Sequence, residues 1–146
     1  MSSQAIIQSL QPILGPDKLV ELDYAATGCH LRAEAQPDQM PAVAAAMLEQ
    51  KFYLESLTAL DLVETFEVVY HFASFYELCR LVVHVPLAMG VDVPTISQVY
   101  PSADWFEREV WEMFGINFSG HPNLKNLILP EDADYHPLLK DFVASS

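Results

Sequence analysis

The sequence predicts an α+β fold, a two-layer sandwich in which a mainly antiparallel sheet of about five strands packs against two to three helices. Hydrophobic periodicity gives the order helix, two strands, helix, three strands, helix. Connections between the predicted strands are short, which favours antiparallel meanders over crossovers. No glycine-rich fingerprint stands at a strand–helix junction, so nothing predicts a nucleotide site. Residues 1–130 are expected to form one domain, and residues 131–146 an extended C-terminal tail that packs on a partner.

The first half of the chain supplies two helices and two strands. Residues 3–14 place isoleucines and leucines on one helical face. Residues 18–24 and 29–35 alternate apolar and polar side chains as two strands around a turn. Residues 36–50 predict the next helix, with Asp38 as an N-terminal cap and alanines that let the helix sit close to a sheet.

Three further strands follow, at residues 52–61, 64–74 and 79–85. The second of them alternates aromatic and aliphatic residues with polar ones, which is typical of a half-buried strand. The third repeats the pattern through its leucine and valines. These segments therefore predict the central part of the sheet.

A helix is predicted over residues 103–114. Ser102 or Asp104 can cap its start, and Glu107 stands three residues after Asp104, which is the spacing of a reciprocal cap. Gly115 can supply the left-handed residue that ends the helix. One apolar stripe is expected to face the core, made of Phe106, Val110, Met113 and Phe114.

The opposite face of this helix carries charges and an unexpected indole. Arg108 can pair with Asp104 or Glu112 at i, i+4 spacing. Trp111 lies off the apolar stripe, and Trp105 lies on its far flank. A bulky indole on a charged face suits a partner surface, but the loop over residues 116–122 folding back over it explains it equally well.

The glutamates of the helix also have two interpretations. As acid/base residues they would need a pocket with two carboxylates at a defined separation. Carboxylates on an exposed helix beside Arg108 are more typically solvated or paired. Glu109 is the exception, since it lies between Trp105 and the apolar stripe and is expected to be partly buried with a partner. No serine stands in an elbow motif, so a hydrolytic triad has no support.

The composition argues against several classes of binding surface and against a membrane-spanning segment. The 146 residues carry a formal net charge of −13, which argues against a nucleic-acid surface and against docking on anionic lipid. The longest apolar runs are too short to span a bilayer, and no charged-then-apolar leader is present. We therefore expect a cytoplasmic protein whose membrane association, on the cytoplasmic face, is through a partner.

The cysteines and histidines give little sign of a metal site. Cys29 and Cys79 are too few and too far apart for an iron–sulfur cluster, and both are expected to be buried thiols without a disulfide. His71 and His84 fall on adjacent predicted strands and could face each other, but a metal site would need further ligands, of which His30 is one candidate. A free-standing metal-dependent enzyme using these histidines is the alternative from another functional class.

The segment around the last helix resembles a known family, the 30-kDa (C-type) subunit of complex I, the proton-pumping NADH:quinone oxidoreductase. The matching residues stand at fixed spacings, so chance agreement is improbable. The resemblance covers most of the chain from about Phe52 onward. Its motif positions are Trp105-Phe106-Glu107-Arg108-Glu109, Met113-Phe114-Gly115-Ile116, Phe118, Gly120-His121-Pro122, Leu124, with Val68-Val69-Tyr70-His71 and Val99-Tyr100-Pro101 upstream, and His136-Pro137-Leu138 and Lys140-Asp141-Phe142 downstream.

The resemblance implies a non-catalytic subunit of the peripheral arm, with no cofactor, metal or catalytic residue of its own. Such a subunit docks on the large catalytic subunit that lines the quinone site, and lies near a small iron–sulfur subunit. In the related energy-converting, membrane-bound nickel–iron hydrogenases, the equivalent large subunit holds the nickel–iron centre. The residues expected at the partner interface are Trp105, Glu107, Arg108, Trp111, His121, Pro122, His136 and Lys140.

Three departures from the family pattern bear on which complex contains the chain. Lys125 and Asn126 stand where the family usually has a basic pair, and Leu139 stands where an arginine is expected. The sequence also ends at Ser146, without the longer tail of many respiratory subunits. These features tilt the interpretation modestly towards the hydrogenase branch, while the NADH:quinone oxidoreductase family remains the broader assignment.

Overall fold

The computed structural model describes residues 2–122 and residue 124, with side chains from residue 4 onward. The helices are α1 (Ser2–Leu14), α2 (Tyr24–Thr27), α3 (Met40–Glu49) and α4 (Ala103–Phe114). The strands are β1 (Leu19–Glu21), β2 (Leu31–Glu34), β3 (Phe52–Asp61), β4 (Thr65–Ser74), β5 (Arg80–Ala88), β6 (Val93–Pro94) and β7 (Phe118–Ser119). Within this part of the chain no helix is both long and apolar enough to cross a bilayer.

The first five strands form one sheet in the order β1-β2-β5-β4-β3. β3, β4 and β5 make an antiparallel meander, as the short connections predict. β2 pairs with β5 in parallel, which the expectation of meanders did not include. The chain between them contains α3 and the β3–β4 hairpin, which is long enough for a crossover. The prediction of an α+β fold with a mainly antiparallel sheet is confirmed.

The N-terminal strand is shorter than its alternating pattern predicts. It ends at Glu21 because the side chain of Asp23 accepts a hydrogen bond from the backbone N–H of Ala25, 3.1 Å away, and caps the helical turn α2. Gly28 ends that turn in the left-handed conformation at φ 78°. The prediction that Tyr24 belongs to the strand was therefore wrong.

The helix predicted over residues 36–50 begins four residues later, at Met40. A 3-10 turn over Pro37–Gln39 precedes it, and Gln36 rather than Asp38 supplies the cap. The backbone N–H of Gln36 donates to Oε1 of Gln39 at 2.8 Å, which completes a reciprocal cap. Local hydrogen bonding thus divided one predicted helix into a turn and a helix.

The core lies between one face of the sheet and helices α1, α3 and α4, which all contribute to one cluster of buried side chains. One cross-strand row shows how the sheet contributes to this core. The row runs across β2, β5, β4 and β3 and consists of Leu31, Leu81, Phe72 and Leu54, each at most 5% exposed. Such rows are the packing unit of a sheet face. The helices and this face make the predicted two-layer sandwich.

Tyr100 ties the segment before α4 to the edge strand, and Tyr100→Phe tests that tie. Its buried hydroxyl donates to the carbonyl oxygen of Phe52 at 2.8 Å, and burial raises the pKa of the phenol. Without the hydroxyl that carbonyl is left unpaired, so we expect the free energy of unfolding to fall by about 1–2 kcal/mol in denaturant melts. Tyr76→Phe is the control, because Tyr76 is 81% exposed. Equal effects of the two substitutions would contradict a stabilising role for the Tyr100 hydroxyl.

Candidate partner interface on helix α4

Helix α4 has the predicted bounds and the predicted end. Gly115 follows it in the left-handed conformation at φ 79°, and its N–H donates to the carbonyl oxygen of Trp111 at 2.8 Å. The predicted caps at its start are absent, since Ser102 is the cap residue but makes no side-chain cap bond. Glu107 does not fold back on Asp104 because its carboxylate is used elsewhere.

The face of α4 that packs on the core is rotated from the predicted stripe. Ala103, Glu107 and Val110 are at most 3% exposed, and Phe114 continues the line from the edge of the core cluster. Met113, predicted to face the core, is only partly buried. The prediction assigned glutamates to the exposed side, whereas Glu107 occupies a core position of the i, i+4, i+7 line.

Glu107 is fully buried because two donors from the segment after β6 converge on it. Oγ1 of Thr95 lies 2.5 Å from Oε1 of Glu107, and the backbone N–H of Ile96 donates to Oε2 at 2.9 Å. Because Glu107 is 0% exposed, its carboxylate does not reach the surface of the described part of the chain. Glu107 therefore holds the 93–97 segment to α4, and the expectation of a solvated carboxylate was wrong.

His121 lies on the other side of Glu107 and completes a buried cluster with Glu107, Thr95 and Ile96. β7 pairs in parallel with β6, which carries the chain back over the start of α4. The side chain of His121 is 0% exposed, and its Nε2 lies 3.1 Å from the carbonyl oxygen of Asp104 and 3.9 Å from Oε1 of Glu107. A carbonyl oxygen can only accept, so Nε2 carries the proton. The expected turn, in which the imidazole caps a backbone group, is present.

The cluster is strongly desolvated. Burial raises the pKa of Glu107, while hydrogen bonds from Thr95 and the N–H of Ile96, and the nearby His121, oppose that shift. The hydroxyl of Tyr70, on β4, is buried without a hydrogen-bond partner, and burial together with the charge of Glu107 raises its pKa. Ionised Glu107 is thus less favourable in the fold than in water.

This pKa shift gives a pH-dependent stability that Glu107→Gln removes. The pKa of the Glu107 carboxyl group is higher in the folded protein than in the unfolded chain. Such a group contributes its full stabilisation of the fold below its ordinary pKa of 4.5, and that contribution is lost as pH rises through the pKa of the folded state. The unfolding free energy of the wild type minus that of Glu107→Gln should therefore fall as pH rises from about 4.5 and then level off. Denaturant melts of both proteins between about pH 4 and 7 measure it. A difference that rises with pH would contradict the shift.

Above the buried cluster, the outer side of α4 presents side chains with few partners. Trp105 is 55% exposed, and Trp111 is partly exposed. Nε of Arg108 is buried without a hydrogen-bond partner, and among the described residues Arg108 makes no ion pair. The predicted pairing of Arg108 with Asp104 or Glu112 was therefore wrong.

Two other glutamates also differ from expectation. Glu112, placed with the charged face, is only 1% exposed. Glu109, expected to be partly buried, is exposed. The rotation of the helix turns residue 109 outward. Residue 112 lies on the side of α4 opposite Val110, so the rotation does not explain its burial.

The predicted interface residues therefore fall into three groups. Trp105, Arg108, Trp111 and Pro122 lie at or partly at the surface, within one helix and the turn that follows it. Glu107 and His121 lie beneath them with buried side chains. His136 and Lys140 lie outside the described residues, as does the predicted tail. Thr95 was missed, because a lone threonine in a loop carries no sequence signal for its hydrogen bond to a distant helix.

The histidines of the sheet do not assemble a metal site in the described part of the chain. His71 and His84 lie on the same outer face, but residues 2–122 contain no group of three or more His, Cys, Asp or Glu side chains that could hold a metal ion. The ring of His30 stacks on Tyr24, with centroids 4.5 Å apart, and its Nδ1 accepts from the N–H of Arg80. Burial, with His84 and Arg80 nearby, lowers the pKa of His71.

Comparison of the sequence with known proteins identifies the family of the chain. The family model described as "Respiratory-chain NADH dehydrogenase, 30 Kd subunit" matches residues 33–146. The C subunit of the NADH-quinone oxidoreductase of Rhodobacter capsulatus is 49% identical over 92 residues, which are 61% of this chain and 46% of the relative. The C/D subunit of the NADH-quinone oxidoreductase of Acidiphilium cryptum is 48% identical over 80 residues, 54% of this chain and 14% of the relative. The chain thus matches less than half the length of these relatives.

The fold has a solved counterpart. A chain of the membrane-bound sulfane sulfur reductase, an archaeal respiratory membrane complex, superposes with a TM-score of 0.79 over 97% of this chain and 85% of that chain, at 21% sequence identity. At that identity the likeness concerns the fold. Because the family model covers more than half of the sequence and includes α4 and the turn at His121, the chain belongs to the family of the 30 Kd subunit of respiratory-chain NADH dehydrogenase.

Proposed function

We propose that this chain is a non-catalytic peripheral-arm subunit of a complex-I-type, ion-pumping oxidoreductase, docked on the large catalytic subunit. The observation that carries the proposal is the outer side of α4, where a half-exposed tryptophan stands one turn from an arginine whose Nε is buried and unpaired. Tryptophan and arginine are enriched among the few residues that carry most of the binding energy of protein interfaces. A partner that supplies an acceptor to Arg108 and covers Trp105 completes both side chains.

The buried cluster beneath α4 makes this surface rigid before binding. Glu107 joins α4 to the 93–97 segment, and His121 joins the turn after β7 to the start of α4. Side chains on elements that are already fixed lose less conformational freedom on docking. Trp105, Arg108, Trp111 and Pro122 would therefore meet the large subunit as one preformed surface.

Electron transfer in this proposal passes through cofactors held by other subunits, including a small iron–sulfur subunit near this chain. The two cysteines support that division of labour, because Cys29 and Cys79 are buried in separate clusters, Cys29 on the outer face of the sheet and Cys79 in the main core. They cannot share one iron–sulfur cluster, which needs about four thiolates. The chain contributes shape and rigidity to the arm, on the cytoplasmic face of the membrane.

The names of the curated relatives favour a quinone-reducing complex over the hydrogenase alternative. Both relatives described above, and a third from Dinoroseobacter shibae at 47% identity over 92 residues, are NADH-quinone oxidoreductase subunits. The modest tilt towards hydrogenases rested on three sequence departures. Identities of 47–49% over 80–92 residues outweigh them.

Purification of the tagged full-length chain from solubilised membranes of its host tests the proposal. We expect a large catalytic subunit and an iron–sulfur subunit to co-purify, with NADH:quinone reductase activity in the assembly and none in the chain alone. Recovery with a nickel–iron subunit would select the hydrogenase alternative. A chain recovered alone, with stoichiometric metal and activity of its own, would support the metal-dependent enzyme instead.

A further inference from the structure

The face of the sheet turned away from the helices carries an open groove. Val20, Arg32, Val82 and His71 stand in one cross-strand row on β1, β2, β5 and β4. Two adjoining cavities of about 350 and 290 Å³ lie along this row and share Leu22 and Arg32 as lining residues. We call this surface the outer groove, and define it by Val20, Leu22, Cys29, Arg32, His71 and Val82.

The floor of the outer groove is apolar. Cys29, Val69 and Val82 form a small cluster that is separate from the main core, and Leu22 packs against it. At the open end Val20 is 51% exposed, although it stands in register with the rest of the row. Covering this floor and Val20 would remove further apolar surface from water, which favours binding of an apolar side chain.

Arg32 is the cation of the groove without an ion pair among the described residues, and Asp17, Lys18 and Glu34 line the wider cavity beside it. Arg32 is exposed, and among the described residues it has no hydrogen bond or ion pair. The neighbouring cations on the same face are paired, Lys18 with Glu34 at 3.6 Å and Arg80 with Glu55 at 2.6 Å. The chain as a whole carries a net charge of −13, so an unpaired arginine at the centre of a groove is an exception to its surface. It is complementary to a single carboxylate.

We propose that the outer groove binds an extended segment of a partner protein, in which a carboxylate side chain pairs with Arg32 and apolar side chains flank it. From β1 to β4 the row crosses three strand spacings of about 4.8 Å, or about 14 Å, the reach of about four extended residues. The two cavities have two basic side chains, Lys18 and Arg32, beside the carboxylates of Asp17 and Glu34, which does not suit nucleic acid because that needs clustered basic groups.

The outer groove lies on the opposite side of the sheet from α4. The inference rests on the proposed function in one respect, which is that the chain is a subunit of a complex. Such a subunit would contact one segment of the complex through α4 and a second segment through the outer groove. α4 would meet the large subunit through indole and guanidinium groups, and the groove would hold a short acidic and apolar segment.

Photo-cross-linking in intact cells tests the groove. The full-length chain carries p-benzoylphenylalanine at position 20, alone and combined with Arg32→Glu, and Lys51→Glu serves as the matched control because Lys51 is an exposed cation outside the groove. We expect a defined adduct with another protein, mapped by mass spectrometry to a segment with Asp or Glu beside apolar residues. Arg32→Glu should lower its yield by at least about tenfold, since like charges repel across an interface, and Lys51→Glu should leave it unchanged.

Four outcomes would overturn the inference: an adduct within residues 125–146 of the same chain, an adduct with a second copy, no adduct, or a yield insensitive to Arg32→Glu. The result is independent of the purification that tests the proposed function. Co-purification of the large subunit without an Arg32-dependent adduct would refute the groove alone. An Arg32-dependent adduct without co-purification would refute the proposed function alone.

Discussion

Glu107→Ala is expected to lower the free energy of unfolding by about 3 kcal/mol or more. The substitution removes the acceptor of the buried N–H of Ile96 and one acceptor of the Thr95 hydroxyl, which is partly buried and also lies 2.8 Å from Oγ of Ser97, at a position that is 0% exposed. Each unsatisfied buried donor costs about 1–3 kcal/mol, and the vacated volume adds to that. Relief from burying a carboxylate offsets part of the loss, but breaking one side of a buried polar pair is a strongly destabilising change.

Chemical denaturation of the full chain measures this effect, with Glu109→Ala as the matched control. Glu109 lies on the same helix, is exposed and should change the unfolding free energy by no more than about 0.5 kcal/mol. Glu107→Gln should fall between the two, because its single amide oxygen can replace only one of the two acceptors. Equal melts for Glu107→Ala and Glu109→Ala would show that the cluster does not stabilise the domain.

The sequence predicted the boundaries of α4 better than its orientation. The bounds follow from local chemistry, since Pro101 and Gly115 limit the helix from either side and Gly115 takes the left-handed conformation that ends it. The orientation depends on which carboxylate finds donors elsewhere in the fold. The hydrogen bonds from the Thr95–Ile96 segment to Glu107 bridge about a dozen residues, and no periodicity encodes them. Charge alone assigned Glu107 and Glu112 to the solvent side, and both are buried.

The sheet shows the same division between local and distant information. The meander of β3, β4 and β5 follows from alternation and short connections, which are readable from neighbouring residues. The parallel pairing of β2 with β5 joins segments about fifty residues apart, and sequence alternation cannot select it. Because that pairing aligns Val20, Arg32 and Val82 across three strands, the outer groove could not be anticipated from the sequence either.

Trp105→Ala is expected to separate assembly from folding. Trp105 is 55% exposed on the outer side of α4, so truncating it should change the unfolding free energy of the isolated chain by less than about 1 kcal/mol. If this indole is covered by the large subunit, the same substitution should weaken binding by about 2 kcal/mol or more, which is about thirtyfold in Kd. His121, also expected at the partner interface, is excluded from this test because its side chain is buried.

Denaturant melts of the free chain and recovery of the large subunit with the tagged chain measure the two effects separately. Tyr76→Ala is the control, since Tyr76 is an aromatic side chain that is 81% exposed on the turn between β4 and β5. It should leave both stability and assembly unchanged. If Trp105→Ala assembles as the wild type does, or if only Tyr76→Ala releases the partner, then the docking surface does not lie on α4. If Trp105→Ala melts early and still assembles, the indole stabilises the fold instead, and Arg108 and Trp111 lose their proposed place at the interface.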